Sequence, residues 1–131
     1  MEELAEKQMN FLKKYAGLLS EVREAAHYAG EWYIQEQEDV ADRLLTSISA
    51  GLLSYNPGNM TLHSIFSDNE QAMKKLEEFY KAALAASEIQ ISQGNTQERM
   101  HLLYEVFLPA LEAWQKEVQS ALQRGGNHAT H

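Results

Sequence analysis

Apolar residues recur at alternating steps of four and three through four successive segments of the chain. In the first segment the stripe is Phe11, Tyr15, Leu18, Val22, Ala25, Ala29 and Trp32. In the last it is Met100, Tyr104, Phe107, Leu111, Trp114, Val118 and Ala121. That spacing holds side chains on one face of an α-helix and suits helix-on-helix packing. The predicted fold is all-α: an antiparallel up-down-up-down four-helix bundle with a long first helix and a short second.

The punctuation between stripes sets the expected boundaries. Helix 1 is predicted from about Glu2 to Gln35, its buried face widened by Leu12, Leu19, Ala26 and Tyr33. Gly17 and Gly30 interrupt it, each weakening a helix by about 1 kcal/mol relative to alanine. Glu36-Gln37-Glu38-Asp39 reads as a turn, with Asp39 placed to cap helix 2. Helix 2 then runs from about Val40 to Tyr55, facing inward through Val40, Leu44, Leu45, Ile48, Leu52 and Tyr55. It ends at Asn56-Pro57-Gly58, which cannot continue a helix. Ser67 and Glu70 form a predicted capping box that opens helix 3. This helix reaches about Ser92 and buries Met73, Leu76, Tyr80, Ala83 and Ser87. Gly94 separates it from helix 4, which starts at Asn95 or Thr96 and ends at Gly125-Gly126. The domain is thus expected to span residues 1–126, with 127–131 a disordered tail.

Helix 2 is too short to cover helix 1. The shortfall of roughly 18 residues leaves about 27 Å exposed. The connection 56–67 carries Met60, Leu62, Ile65 and Phe66, and is expected to pack into that gap. The hairpins 1–55 and 68–124 also align when shifted, Leu44-Leu45 onto Leu102-Leu103 and Ile48 onto Val106. Internal duplication and the ordinary likeness of any two amphipathic hairpins both explain this.

Composition narrows the class. With 131 residues, 44% hydrophobic and 23% charged, the chain is apolar enough to form one core rather than remain disordered. It has no cysteine, which excludes disulfides and thiolate metal sites. The formal charge is −8 and lies on both halves of the chain. Nucleic acid and anionic membrane surfaces repel such a protein, so neither is an expected partner. No apolar run approaches the ~20 residues of a membrane helix, and none follows Met1-Glu2-Glu3 as a signal peptide requires. A cytoplasmic location is expected.

Three constellations carry possible chemistry. The first turn gathers Glu31, Glu36, Glu38, Asp39 and Asp42 beside Tyr28, Trp32 and Tyr33. Acids around exposed aromatics suit a basic, amphipathic protein segment, which nominates Tyr28, Trp32, Tyr33, Glu36, Glu38 and Asp39. A solvated turn with its rings in the core explains the same residues. The second is a pair of Glu-x-x-His motifs, Glu24–His27 and Glu98–His101. Such motifs serve carboxylate di-metal bundles, with Asp42 and Glu88 as nominal additional ligands. Yet the motifs fall on helices 1 and 4, and His27 points about 150° away from the apolar seam. Solvated Glu–His pairs explain them as well. The third is Pro109, which predicts a kink in helix 4. Such a kink lets a long helix follow the curvature of the bundle, or opens an apolar pocket, here lined by Phe107, Trp114 and Tyr55.

On helix 2 the small residues Ser47, Gly51 and Ser54 allow close approach of another helix, or of a second subunit in a homodimer. Intramolecular packing is the expectation. No nucleophile–base pattern, phosphate loop or dinucleotide fingerprint is present. In general style the chain resembles small acidic helical-bundle proteins of bacteria, many of them adaptors, secretion chaperones or immunity proteins. The expected function is therefore a non-enzymatic binding or regulatory module without a cofactor, docking a protein partner. The alternatives are a metal-binding bundle at Glu24, His27, Glu98 and His101, or a bundle that binds a small apolar ligand.

Overall fold

Helix α1 spans Glu6–Ile34 and buries Leu12, Tyr15, Leu19, Val22, Ala26, Ala29, Gly30 and Tyr33. The structure is a computed structural model that describes residues 4–91 and 94–129. Five more α-helical segments follow among the described residues: α2 (Glu38–Ala50), α3 (Met60–Phe66), α4 (Glu70–Ser87), α5 (Thr96–His101) and α6 (Leu108–Ala129). A π-helical turn, Leu102–Phe107, joins α5 to α6. No strand occurs among the described residues, so the chain is all-helical. Helix α1 packs against α2 and α6, α2 against α4, and α4 against α6.

The buried faces overlap the predicted stripes. Tyr15, Val22 and Ala29, Leu45 and Leu52, Leu76 and Ala83, and Phe107, Leu111, Trp114, Val118 and Ala121 are buried as expected. In α1, α2 and α4 the face is turned by part of a residue step. In α1 the flanking set Leu12, Leu19, Ala26 and Tyr33 lies in the core, while Phe11, Leu18 and Ala25 sit half-buried and Trp32 is exposed. In α4 the core residues are Ala72, Leu76, Phe79, Ala82, Ala83 and Ala86, with Met73, Tyr80 and Ser87 at the edge. In α2 the buried set is Ala41, Asp42, Leu45 and Ser49, whereas Val40, Leu44 and Ile48 are half-buried. A wide apolar stripe fixes the helix but leaves its rotation open by about half a residue step, or about 50°. The small residues Ser47, Ala50, Gly51 and Ser54 face solvent, so no neighbouring helix packs over them. This corrects the expected intramolecular role.

Several boundaries also differ. Helix α2 stops at Ala50 rather than near Tyr55, and the chain turns through 51–54 with Leu52 buried. Asn69, not Ser67, caps α4, its side chain accepting from the Ala72 N–H at 3.1 Å. Ser67 closes α3 instead. The last helix runs past Gly125-Gly126 to Ala129. The end of the expected tail, residues 130–131, lies outside the described residues, as does Ser92.

Residues 56–67 turn back against α4 and α6 and touch α1 through the Gln8–Ser64 hydrogen bond, while Met60, expected to help cover α1, is exposed. Asn56 organises the turn, donating to the Leu53 carbonyl at 2.9 Å and accepting from the Gly58 N–H at 2.8 Å. Asn59 caps α3 by accepting from Leu62 N–H at 3.0 Å. Leu62 and Phe66 are then fully buried. Phe66 meets Trp114 at a ring separation of 4.9 Å, and Tyr55 meets Tyr15 at 4.9 Å. Trp114 Nε1 donates to the Tyr15 hydroxyl at 2.8 Å, satisfying a donor that burial would otherwise strand. Burial raises the Tyr15 phenol well above its ordinary value.

The last helical run has its own irregularity. Leu108 N–H bonds to the Leu103 carbonyl, one residue further back than an α-helix allows. Pro109 follows at once. In an α-helix its ring would press on the carbonyl four residues earlier, and the wider π turn gives that ring room. The predicted kink thus takes the form of an inserted residue. It shifts the phase so that Leu103 enters the core while Tyr104 is left partly exposed.

Candidate functional site

Where α1 ends, the backbone makes a tight left-handed turn. Gln37 N–H bonds to the Trp32 carbonyl at 2.8 Å and Glu36 N–H to the Tyr33 carbonyl at 3.0 Å. These are the two bonds of a Schellman cap, whose pivot residue adopts positive φ and is usually glycine. Here the pivot is Glu36, at φ 63°, the only non-glycine residue with positive φ among those described. An L side chain at such a position costs about 1–2 kcal/mol.

This turn divides the predicted acidic-aromatic cluster in two. Tyr28 is 55% exposed and Trp32 38% exposed. They lie four residues apart, on one side of α1. Glu31, Glu36 and Asp39 are exposed beside them. None of these three carboxylates forms an ion pair among the described residues. This outer half is an aromatic edge within an unneutralised acidic field.

The inner half is an internal lock. Tyr33 is buried and its hydroxyl donates to Asp42 Oδ1 at 2.6 Å. Asp42, only 6% exposed, also meets Arg99 Nε at 3.2 Å. Arg99 Nη1 lies 3.3 Å from Glu38 Oε1 and donates to the Gly94 carbonyl. The Thr96 hydroxyl donates to the second oxygen of Glu38. Five side chains thus tie the end of α1, the start of α2 and the start of α5 together. Burial, then the hydrogen bond to the Asp42 carboxylate, pushes the Tyr33 phenol far above its ordinary value.

The residues nominated from the sequence therefore separate. Tyr28, Trp32, Glu36 and Asp39 are presented to solvent, whereas Tyr33 and Glu38 are engaged inside the lock. Arg99 was not nominated. Its signal was indirect: Glu38 and Asp42 share a helical face with Leu45 and Ser49, so that carboxylates enter the core and require a cation.

The Glu-x-x-His motifs do not come together. Glu24, His27, Glu98 and His101 are all exposed. Glu98 accepts from Asn95 N–H at 3.0 Å while Asn95 accepts from Glu98 N–H at 2.8 Å, a capping box at the start of α5. No group of three metal-ligating side chains forms among the described residues. Near Pro109, Phe107 and Trp114 are fully buried, with Phe107 against Phe79 at 5.8 Å and Trp114 against Phe66. Tyr55 lies against Tyr15 and Phe11, so the three rings are spent on packing. No helix of the described residues is long and apolar enough to cross a membrane.

Comparison with known proteins places most of the chain in a described family. Residues 10–117 fit the sequence model of a family described as "Domain of unknown function (DUF8042)". That stretch contains both the aromatic edge and the lock. No curated protein and no solved structure matches the chain.

Proposed function

The chain belongs to the DUF8042 family, and we propose that it is a non-enzymatic binding module that docks a protein partner. The frame is read as an antiparallel up-down-up-down four-helix bundle, its helices being α1, α2, α4 and the α5–α6 run. The docking edge is Tyr28, Trp32, Glu36 and Asp39.

One observation carries the reading: Glu36 holds a charged side chain where the backbone favours glycine. Strain retained at an exposed position marks a side chain kept for something other than the fold. Its carboxylate stands in the same turn as Trp32, whose carbonyl anchors the cap. Tryptophan and tyrosine are the side chains most often found at interface hot spots. The surrounding carboxylates favour a partner that is basic where it meets them.

The test is a comparison of captured proteins. A variant carrying Trp32→Ala, Glu36→Lys and Asp39→Lys is compared with the native chain on affinity resin. Glu38 is left unchanged, because it pairs with Arg99. The expected result is loss of the proteins specifically retained by the native chain, with the variant still folded by circular dichroism. Identical capture by both forms overturns the docking edge.

A further inference from the structure

At the opposite end of α1 the helices flank an open cleft of about 820 Å³. From Trp32 to Gln8 is about 36 Å along the helix axis, so the cleft is separate from the aromatic edge. Its walls come from the start of α1, from α3, from the first turn of α4 and from the last turns of α6. The volume falls in the range of small-ligand sites, about 300–1,000 Å³.

The lining has a definite chemical polarity. Leu4 and Ile65 supply half-buried apolar surface. On the α6 side stands Arg124; on the α4 side stand Asp68 and Glu70. None of these three charged groups is in an ion pair among the described residues. Gln8 Nε2 donates to Ser64 Oγ at 3.1 Å, joining α1 to α3 at the wall. One wall thus offers a guanidinium for a carboxylate, the other two carboxylates for an ammonium, and the apolar surface a place for a hydrocarbon side chain.

We infer that this cleft binds a small zwitterion, its carboxylate on Arg124, its ammonium between Asp68 and Glu70, and its side chain over Leu4 and Ile65. A single charge would satisfy only one wall. A ligand carrying both charges at its two ends satisfies both.

The test titrates ¹⁵N-labelled full-length chain with leucylglycine and with alanylglutamine, following amide shifts. Each dipeptide is also supplied N-acetylated or C-amidated, which removes one charge at a time. Saturable shifts are expected at Gln8, Ile65, Gln71 and Gly125, with either blocked form weaker by about ten-fold, one charge-assisted contact. Arg124→Gln should bind free and C-amidated dipeptide equally. Asp68→Asn with Glu70→Gln should do the same for free and N-acetylated dipeptide. Both variants alter exposed residues and are checked for unchanged folding. No saturable shift at these amides up to about 10 mM, where even weak affinity registers, overturns the proposal. So does equal binding of free and blocked dipeptides by the native chain. Neither result bears on capture at Trp32.

Discussion

Glu36 carries its side chain through a backbone region that glycine enters without cost. Replacing it with glycine removes the clash between Cβ and its own carbonyl while the two cap bonds remain. The greater freedom of glycine in the unfolded chain offsets part of that gain. Glu36→Gly is therefore expected to stabilise the protein by about 1 kcal/mol in urea unfolding. Under the docking proposal the same change weakens partner capture. A more stable protein with less binding would show that the fold gives up stability at this position. A destabilised variant would instead mean that the side chain supports the fold. Trp114 illustrates the opposite case, since its ring and its N–H are both satisfied inside, against Phe66 and Tyr15.

Between elements, α1 approaches the π turn closely at Gly30. A Cβ built on Gly30 would collide with the hydroxyl of Tyr104, whose ring lies across the helix. Gly30→Ala should therefore cost about 1 kcal/mol in the native background, as Tyr104 is forced off α1 and loses its cover there. In a Tyr104→Ala background the sign reverses, because only the higher helix propensity of alanine remains, up to about 1 kcal/mol. Thermal melts of the four proteins read the reversal directly. At this scale the sequence was legible where periodicity and capping speak. The four stripes, the Asn95 start of α5 and the burial of Leu62 and Phe66 could all be reasoned from residue types, whereas the exposure of Met60 could not. The face of α6 was legible too, but the exact rotation of α1 was not, because Leu12 and Phe11, or Leu19 and Leu18, are equally apolar neighbours. The π turn was legible only as the anomaly of Pro109. The lock escaped because Arg99 and Asp42 read as surface charges until their positions across two helices are known.

At the scale of the molecule, Arg99 joins the first hairpin to the second through residues far apart in sequence. Its side chain and that of Asp42 are 11% and 8% exposed, so removing one partner leaves a charge in a poorly solvated place. Arg99→Met should destabilise the protein by about 3 kcal/mol. Adding Asp42→Asn removes the stranded charge, keeps an acceptor for Tyr33, and should restore more than half of the loss. Additive losses in denaturant melts would mean that the two side chains are not coupled. Hydrogen exchange adds a spatial readout. In Arg99→Met, faster exchange should concentrate at the starts of α2 and α5 rather than in the ring cluster around Trp114.

The extra residue in the Leu102–Phe107 turn also determines where Arg99 points. Loss of one codon there would hardly alter apolar content and would let the segment close into ordinary α-helix. Everything upstream in that run would then swing by about 100° relative to α6, carrying the guanidinium away from Asp42. The descent of the chain is thereby constrained in an unusual way: length at this turn should be inherited more strictly than the identity of most of its residues.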